Sequence, residues 1–109
     1  MEKDLEQILQ FQAEREWKQF HTPKNLAISL VLEAAESLEL FQWSPDNNLP
    51  EDKISQFGQE LADVYYYLLL LAHETGIDIK DEFKKKMKVN ASKYPVDKSK
   101  GSSKKYDEL

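Results

Sequence analysis

The 109-residue chain has no cysteine, three glycines and four prolines. The lack of cysteine excludes disulfides and thiolate metal sites, so a metal ion here needs carboxylate or histidine ligands. The longest apolar run, residues 64–72, is about half of the roughly 18 residues that a membrane span requires. No alternation of apolar and polar residues is long enough to predict a strand. These absences favour an all-α fold with no membrane partner.

Charge is distributed unevenly along the chain. Residues 1–83 carry 17 acidic and 6 basic side chains, whereas residues 84–109 carry 3 acidic and 9 basic ones. Binding to a nucleic-acid duplex depends on neutralising phosphates, for which the acidic body is unsuited. The lysine-rich segment can still meet a few phosphates, on a nucleic acid or on a small anionic ligand. Overall we expect no nucleic-acid partner.

Apolar residues recur at helical spacing in four segments that turn formers separate. Thr22 followed by a proline predicts an N-cap, Gly76 predicts a C-cap, and Asp78 predicts the N-cap of the next segment. The turn formers of WSPDNNLP separate the second segment from the third. The predicted helices span residues 3–20, 24–42, 50–75 and 79–93.

The pattern predicts one domain and a tail. We assign residues 1–95 to a single all-α domain and residues 96–109, rich in lysine and serine, to a tail that is disordered or becomes ordered with a ligand. The second helix is apolar on most sides, which is more than three neighbours in so small a chain can cover. We therefore expect a four-helix antiparallel bundle whose core is shared in a homo-oligomer.

Two pairs of acidic residues border the apolar stripes of the second and third helices. Glu33 and Glu36 lie about 60° apart on a helical wheel, and Glu60 and Asp63 repeat that spacing, with Tyr67 one turn further along. If the two helices pack through their apolar stripes, four carboxylates come together. Such a group cannot stay ionised in a partly dry site unless a cation neutralises it.

Oxygen ligands from Asp and Glu suit a hard ion, which favours Mg²⁺, with Mn²⁺ as a near substitute. The competing interpretation is that this spacing is common on solvated helix faces, where it has no function. A di-iron bundle requires Glu-x-x-His on two helices. The residues three positions before His21 and His73 are Lys18 and Leu70, so the sequence does not fit that class.

The segments LEAAESLELFQW and QELADVYYYLLLLA resemble the ExxE and ExxD signature of the all-α nucleoside triphosphate pyrophosphohydrolases, the MazG-type superfamily. The segments FQAEREWKQFHTPKNLAISLV, KMKVNASKYP and SSKKYDEL are similar to its dCTP pyrophosphatase branch. The resemblance implies a tetramer of four-helix subunits that hydrolyses a nucleoside triphosphate to monophosphate and pyrophosphate with Mg²⁺. It also implies four metal ligands, namely Glu33, Glu36, Glu60 and Asp63.

The resemblance extends to residues that suit a nucleotide. The rings of Trp17 and Trp43 offer stacking faces for a base, and His21 would meet the base or the sugar. Tyr67 would pack against the deoxyribose and disfavour a 2′-hydroxyl. Trp17 and Tyr67 as plain core residues, and the lysines as solvated ones, are the alternatives. The residues suited to phosphates are Lys86, Asn90, Lys93 and Tyr94.

The leading hypothesis is a Mg²⁺-dependent enzyme that converts dCTP, or a 5-modified dCTP, and water to dCMP and pyrophosphate and so controls the nucleotide pool. The superfamily's first motif often opens with two glutamates, whereas Leu32 precedes Glu33 here, which leaves open which carboxylate activates the water. Glu33 and Glu36 are the candidates. The acidic sequence MEKDLEQ resembles no secretory or transit signal, which predicts a cytoplasmic location.

Two other classes of function compete with hydrolysis. The first is a non-catalytic helical module that binds nucleotides or a protein partner through its aromatic residues. The second is a nucleic-acid accessory protein that acts through its lysine-rich tail, which the acidic body disfavours. Turnover of a deoxynucleoside triphosphate separates the enzyme from both.

Overall fold

The computed structural model describes residues 2–44 and 48–109, and within these ranges no residue lies in a strand. The predicted all-α class is therefore confirmed. No helix in this part of the chain is both long enough and apolar enough to cross a bilayer. The helices are α1 Glu2–Glu14, α2 Pro23–Glu39, α3 Ile54–Thr75, α4 Ile79–Lys93 and α5 Val96–Ser99, with short 3₁₀ segments at Lys18–Phe20, Glu51–Lys53 and Tyr106–Glu108.

The chain forms two compact units. The first unit, Met1–Gly76, contains α1, α2 and α3, and the second, Ile77–Leu109, contains α4 and α5. In the first unit, α2 and α1 both pack against α3.

Helix α1 ends at Glu14, six residues before the predicted end. Glu16 adopts a left-handed backbone conformation with φ of 54°, which interrupts the helical path. The backbone N–H of Trp17 then donates to the carbonyl of Gln12 over 3.1 Å. This turn lets the Trp17 ring meet Phe11 edge-on, with ring centroids 5.6 Å apart. The sequence contains no glycine or proline here that would predict the break.

Helix α2 starts where the sequence predicted. The Thr22 side-chain oxygen accepts from the backbone N–H of Asn25 over 3.1 Å, and Pro23 occupies the first helical turn. The helix ends at Glu39, followed by turns through Trp43, so the predicted extension to residue 42 is three residues too long. Within the predicted turn WSPDNNLP, residues 45–47 lie outside the described part of the chain.

The predicted caps of α3 and α4 are also confirmed. Gly76 has φ of 72°, a conformation that a residue with a Cβ rarely adopts, and its N–H bonds to carbonyls of the last turn of α3. The Asp78 carboxylate accepts from the backbone N–H of Asp81 over 3.1 Å and so caps α4. A 3₁₀ segment, Glu51–Lys53, precedes α3, where the sequence predicted continuous α-helix.

The buried core is small and leaves α2 largely uncovered. Leu26 is the one buried residue of α2, and it joins Leu70 of α3 as the most deeply buried side chains. On the rest of α2, large apolar side chains face solvent, Val31 with 67% and Leu38 with 70% of its surface exposed. The buried residues are Ile8, Gln12, Leu26, Leu69, Leu70 and Ala72.

The predicted tail contains regular structure. After Pro95 the chain forms the short helix α5 and, further on, the 3₁₀ segment Tyr106–Glu108. The Tyr106 ring meets Tyr94 edge-on at 6.3 Å between centroids, and the Lys93 ammonium lies 4.6 Å from its centroid. Aromatic and cation–π contacts therefore link Tyr106 to the end of α4, and the expectation that the tail is disordered or becomes ordered with a ligand stays a prediction.

We expect Thr22→Ala to lower the free energy of unfolding by about 1 kcal/mol, because the N–H of Asn25 loses its acceptor at the start of α2. Thermal denaturation followed by circular dichroism measures the change. Thr22→Ser is the matched control, since it keeps the hydroxyl oxygen. Equal melting temperatures for Thr22→Ala and Thr22→Ser would contradict the capping role.

Candidate active site

Three carboxylates from two helices form an acidic cluster, which consists of Glu33 and Glu36 on α2 and Glu60 on α3. One oxygen from each lies within 4.8 Å of the other two. Glu33 and Glu60 are partly buried, whereas Glu36 is exposed. The packing of α2 on α3 therefore brings together three of the four carboxylates that the sequence singled out.

Asp63, the fourth predicted ligand, lies beside the acidic cluster. No oxygen of Asp63 belongs to the group within 4.8 Å. Its charge nevertheless helps to raise the pKa of both Glu33 and Glu60. Asp63 and Glu33 also line the same cavity, so Asp63 lies on the cavity wall together with a member of the cluster.

Burial and like charge make ionisation of the cluster unfavourable. Loss of hydration is the main cause that raises the pKa of Glu33, followed by the charge of Glu36 and a hydrogen bond with it. The pKa of Glu60 is raised in the same way, first by loss of hydration and then by the charges of Glu36 and Asp63. The described residues around the cluster supply no cation to offset this repulsion.

The acidic cluster fits a divalent cation. The Oε2 atoms of Glu33 and Glu60 are buried and have no hydrogen-bond partner. A buried carboxylate oxygen without a partner is costly, and a metal ion satisfies it directly. The donors are all carboxylate oxygens, which a hard ion such as Mg²⁺ prefers. The candidate ligands are therefore Glu33, Glu36 and Glu60, with Asp63 adjacent.

A cavity of about 580 Å³ adjoins the cluster. Aromatic rings form much of its wall, and we call it the aromatic cavity. Phe11 is one of these rings and makes edge contacts with Trp17 at 5.6 Å and with Tyr66 at 6.3 Å between centroids. Flat rings beside an acidic site suit a nucleoside. The lining residues are Asp4, Gln7, Ile8, Phe11, Trp17, Glu33, Ala62, Asp63, Tyr65, Tyr66 and Tyr67.

Trp17 and Tyr67, both singled out from the sequence, lie on the wall of the aromatic cavity. Tyr67 packs edge-on against Tyr66 at 5.0 Å between centroids, and Ser29 of α2 lies near its hydroxyl group. Burial is the main cause that raises the pKa of Tyr67, and the charge of Glu33 adds to it. Tyr67 therefore stays a neutral phenol beside the carboxylates.

Two other predicted residues lie away from this cavity. Trp43 has 91% of its surface exposed, adopts a left-handed conformation with φ of 72°, and is absent from the described wall of the aromatic cavity. His21 lines a separate cavity of about 250 Å³, together with Lys18 and His73. Within one chain, the structure therefore does not bring His21 and Trp43 to the acidic cluster.

The residues suited to phosphates belong to the second unit. Lys86 and Lys93 are exposed, while Asn90 and Tyr94 are half-buried. The backbone N–H of Tyr94 donates to the carbonyl of Asn90 over 2.9 Å and so ends α4. Contact between these residues and a substrate in the first unit stays a prediction.

Sequence reasoning missed part of the aromatic cavity. Phe11 looked like an ordinary residue of the apolar stripe of α1, and Tyr66 had no distinguishing spacing. Asp4 and Gln7 lie at helical spacing from Phe11 on α1. As polar side chains at the edge of an apolar stripe, they give no signal beyond ordinary solvent exposure. The run Tyr65–Tyr66–Tyr67 was a usable signal, because three consecutive tyrosines on a helix point in three directions and at least one must leave the core.

The sequence also matches a known family. The profile of the MazG-like family matches residues 28–109, a segment that contains the acidic cluster and Asp63. The chain belongs to the MazG-like family. The resemblance inferred from the two acidic motifs is thereby confirmed.

Two mammalian relatives illustrate the likeness. This MazG-like chain is 41% identical over 105 residues to mouse dCTP pyrophosphatase 1 and 40% identical over 106 residues to the human protein of that name. The aligned region is 92% of the chain but 62% of each relative. The chain thus spans less than two thirds of the length of these relatives.

A solved structure matches the MazG-like chain closely. It is a pyrophosphatase from Archaeoglobus fulgidus DSM 4304, with 39% sequence identity and a TM-score of 0.82. The match covers 87% of this chain and 92% of the archaeal one. At this identity and coverage the likeness extends over most of the helical framework that carries the acidic cluster.

In the absence of metal, we expect the stability of the protein to fall as pH rises above 4.5. Glu33 and Glu60 have a pKa raised above their ordinary value of 4.5, so the folded state binds more protons than the unfolded state from that pH upward. Their contribution is most favourable below pH 4.5 and is lost as pH passes the raised pKa. Melting temperatures in EDTA from pH 4.5 to neutrality measure it.

Glu33→Gln should flatten the dependence of stability on pH, because it removes one titrating group and lowers the repulsion on the neighbouring carboxylates. Glu6→Gln is the matched control, since Glu6 is exposed on α1 and lines no described part of the aromatic cavity. If Glu33→Gln and Glu6→Gln give the same slope, the cluster does not govern the pH dependence.

Proposed function

We propose that the chain is a Mg²⁺-dependent nucleotide pyrophosphohydrolase that converts dCTP, or a 5-modified dCTP, and water to dCMP and pyrophosphate. The observation that carries the proposal is the acidic cluster itself, with three carboxylate oxygens within 4.8 Å at the edge of an aromatic cavity of about 580 Å³. The acidic cluster suits a cation and phosphates, and the aromatic cavity suits a base and a sugar. Membership of the MazG-like family and the names of the two mammalian relatives support the reaction and the base.

The cation requirement follows from the charges. A nucleoside triphosphate is itself an anion, so a bare acidic cluster would repel it. When bound, Mg²⁺ supplies the positive charge that holds phosphate oxygens beside carboxylates and offsets the charge that develops during phosphoryl transfer. Glu33, Glu36 and Glu60 would hold the ion, and Asp63 would complete the set of ligands.

The carboxylates also supply a base for the attacking water. Glu33 or Glu36 would accept a proton from the water, whose oxygen forms a bond to the α-phosphorus while the bond to the α–β bridging oxygen breaks. Pyrophosphate leaves with the electron pair of that bond.

The remaining predicted residues have roles in binding. Trp17 would stack on the base and Tyr67 would pack against the deoxyribose, since both rings line the aromatic cavity. Lys86, Asn90, Lys93 and Tyr94 would hold phosphates that the cation leaves free. A role in controlling the deoxynucleotide pool in the cytoplasm belongs to the same proposal.

We expect Glu60→Gln to reduce pyrophosphate release from dCTP by at least about a hundredfold, because the cation loses a ligand. The assay compares the four natural deoxynucleoside triphosphates with Mg²⁺, with Mn²⁺ and with EDTA. EDTA should abolish release, and Mn²⁺ should support it. Glu6→Gln should retain wild-type turnover.

Two outcomes would contradict the proposal. Turnover by Glu60→Gln close to that of the wild type would exclude the acidic cluster as the site. Nucleotide binding that raises the melting temperature, with no release of pyrophosphate and no sensitivity to EDTA, would favour the non-catalytic binding module instead.

We also propose that the protein works as a homo-oligomer, a tetramer of bundle subunits. The support is an apolar face on α2 that the described residues of the chain leave exposed. A monomer rarely leaves so many large apolar side chains of one helix in water, and a second copy is the self-complementary way to bury them. The exposed residues of this face are Ile28, Val31, Leu32 and Leu38.

We expect Val31→Glu to lower the molar mass measured by light scattering after gel filtration, because a carboxylate in a buried interface is strongly unfavourable. Val31 has 67% of its surface exposed in the single chain, so the substitution leaves the fold of one chain intact. Ser103→Glu, which adds the same charge at an exposed position of the second unit, should not change the mass. A monomeric wild type would contradict the proposal.

A further inference from the structure

Asp4 and Gln7 place polar groups on the wall of the aromatic cavity that α1 contributes. Neither residue belongs to the acidic cluster, whose members come from α2 and α3. Metal binding therefore does not explain why these two polar side chains lie on the cavity wall. A nucleotide whose phosphates meet the cluster would have its base in the remaining space, beside these side chains and the rings.

The Asp4 carboxylate is fixed by a hydrogen bond between helices. The Tyr65 hydroxyl on α3 donates to Oδ2 of Asp4 on α1 over 2.7 Å. A tyrosine hydroxyl is protonated at neutral pH, so Tyr65 is the donor in this bond and Asp4 the acceptor. The hydroxyl hydrogen of Tyr65 is used in the bond to Asp4. The other carboxylate oxygen and a lone pair of the Tyr65 oxygen can therefore accept hydrogen bonds from a ligand.

This arrangement makes one part of the wall accept hydrogen bonds without donating them. An ionised carboxylate has no hydrogen to donate. The Gln7 amide can donate or accept, so it does not discriminate between donor and acceptor groups of a ligand. A ligand group that meets Asp4 therefore needs an N–H or O–H. A carbonyl in the same place would face a negative charge with no hydrogen between them.

The bases differ in the exocyclic group, amino or carbonyl, that would meet Asp4. Cytosine carries an amino group at the ring position where uracil and thymine carry a carbonyl, and adenine carries an amino group where guanine carries a carbonyl. We propose that Asp4, positioned by Tyr65, selects nucleotides whose base presents an amino group and rejects those that present a carbonyl there. The selection rests on the proposed function, since it assumes that the aromatic cavity holds the base of a nucleotide.

The experiment compares dCTP with dUTP, because the two differ in the cytosine amino group and in the ring nitrogen beside it. We expect wild-type kcat/KM to favour dCTP, and Asp4→Asn to lower the dCTP to dUTP ratio by roughly tenfold or more, since a hydrogen bond to a charged group is lost. The amide that replaces the carboxylate in this variant can also donate to the uracil carbonyl. Glu6→Gln, the same chemical change on the solvent side of α1, should leave the ratio unchanged.

Tyr65→Phe tests the positioning of Asp4. Removal of the hydroxyl frees the carboxylate but keeps the ring, so we expect KM for dCTP to rise severalfold while kcat stays within about twofold. A merely structural role would lower the melting temperature and reduce kcat for both nucleotides alike. Melting temperatures of all variants accompany the assay.

The outcomes separate this inference from the proposed function. If the wild type turns over dCTP in preference to dUTP and Asp4→Asn keeps that ratio, the inference is overturned while the hydrolase remains. If the wild type releases no pyrophosphate, the proposed function fails, and calorimetric titration with dCMP and dUMP still decides the inference. Equal affinity of the wild type for dCMP and dUMP would overturn it, and a preference for dCMP that Asp4→Asn abolishes would support it.

Discussion

The arrangement of the first unit depends on carboxylates that repel one another. The described residues of the unit supply no positive charge that offsets this repulsion. Helices α2 and α3 pack so that Glu33, Glu36 and Glu60 share one small volume, and two of their oxygens are buried without a partner. Apolar packing elsewhere along the same helices must hold these carboxylates together, with Leu26 and Leu70 as its most deeply buried side chains. A cation reverses the sign of the interaction, so that the same crowding stabilises the site once the charge is balanced.

The aromatic cavity follows from the path of α1 rather than from the acidic motifs. The left-handed residue Glu16 ends the helical path early and turns the chain so that Trp17 folds back onto Phe11. Without that turn, a continuous helix would carry Trp17 about one and two-thirds turns beyond Phe11, on a different side of the helix. A short irregularity in the backbone thus gives the acidic cluster a neighbouring wall of flat rings.

Much of this organisation is readable in the sequence, and the exceptions have physical reasons. Thr22, Gly76 and Asp78 act locally, so their capping could be predicted from neighbouring residues alone. The acidic pairs could be predicted because helical spacing fixes which side chains share a face. The end of α1 could not, since neither glycine nor proline marks it and the contacts that stabilise the turn are tertiary. Asp63 shows the same limit, because spacing gives its face on α3 but not its distance from Glu33.

The two tryptophans of the chain occupy very different surroundings. Trp17 lies on the wall of the aromatic cavity in contact with Phe11, whereas Trp43 has 91% of its surface in solvent. Their indole emission should therefore differ in colour, with a red-shifted component from Trp43 and a bluer one from Trp17. A base stacked on Trp17 would quench the bluer component alone. The protein thus carries its own optical reporter for occupancy of the cavity, with an internal reference in the same chain.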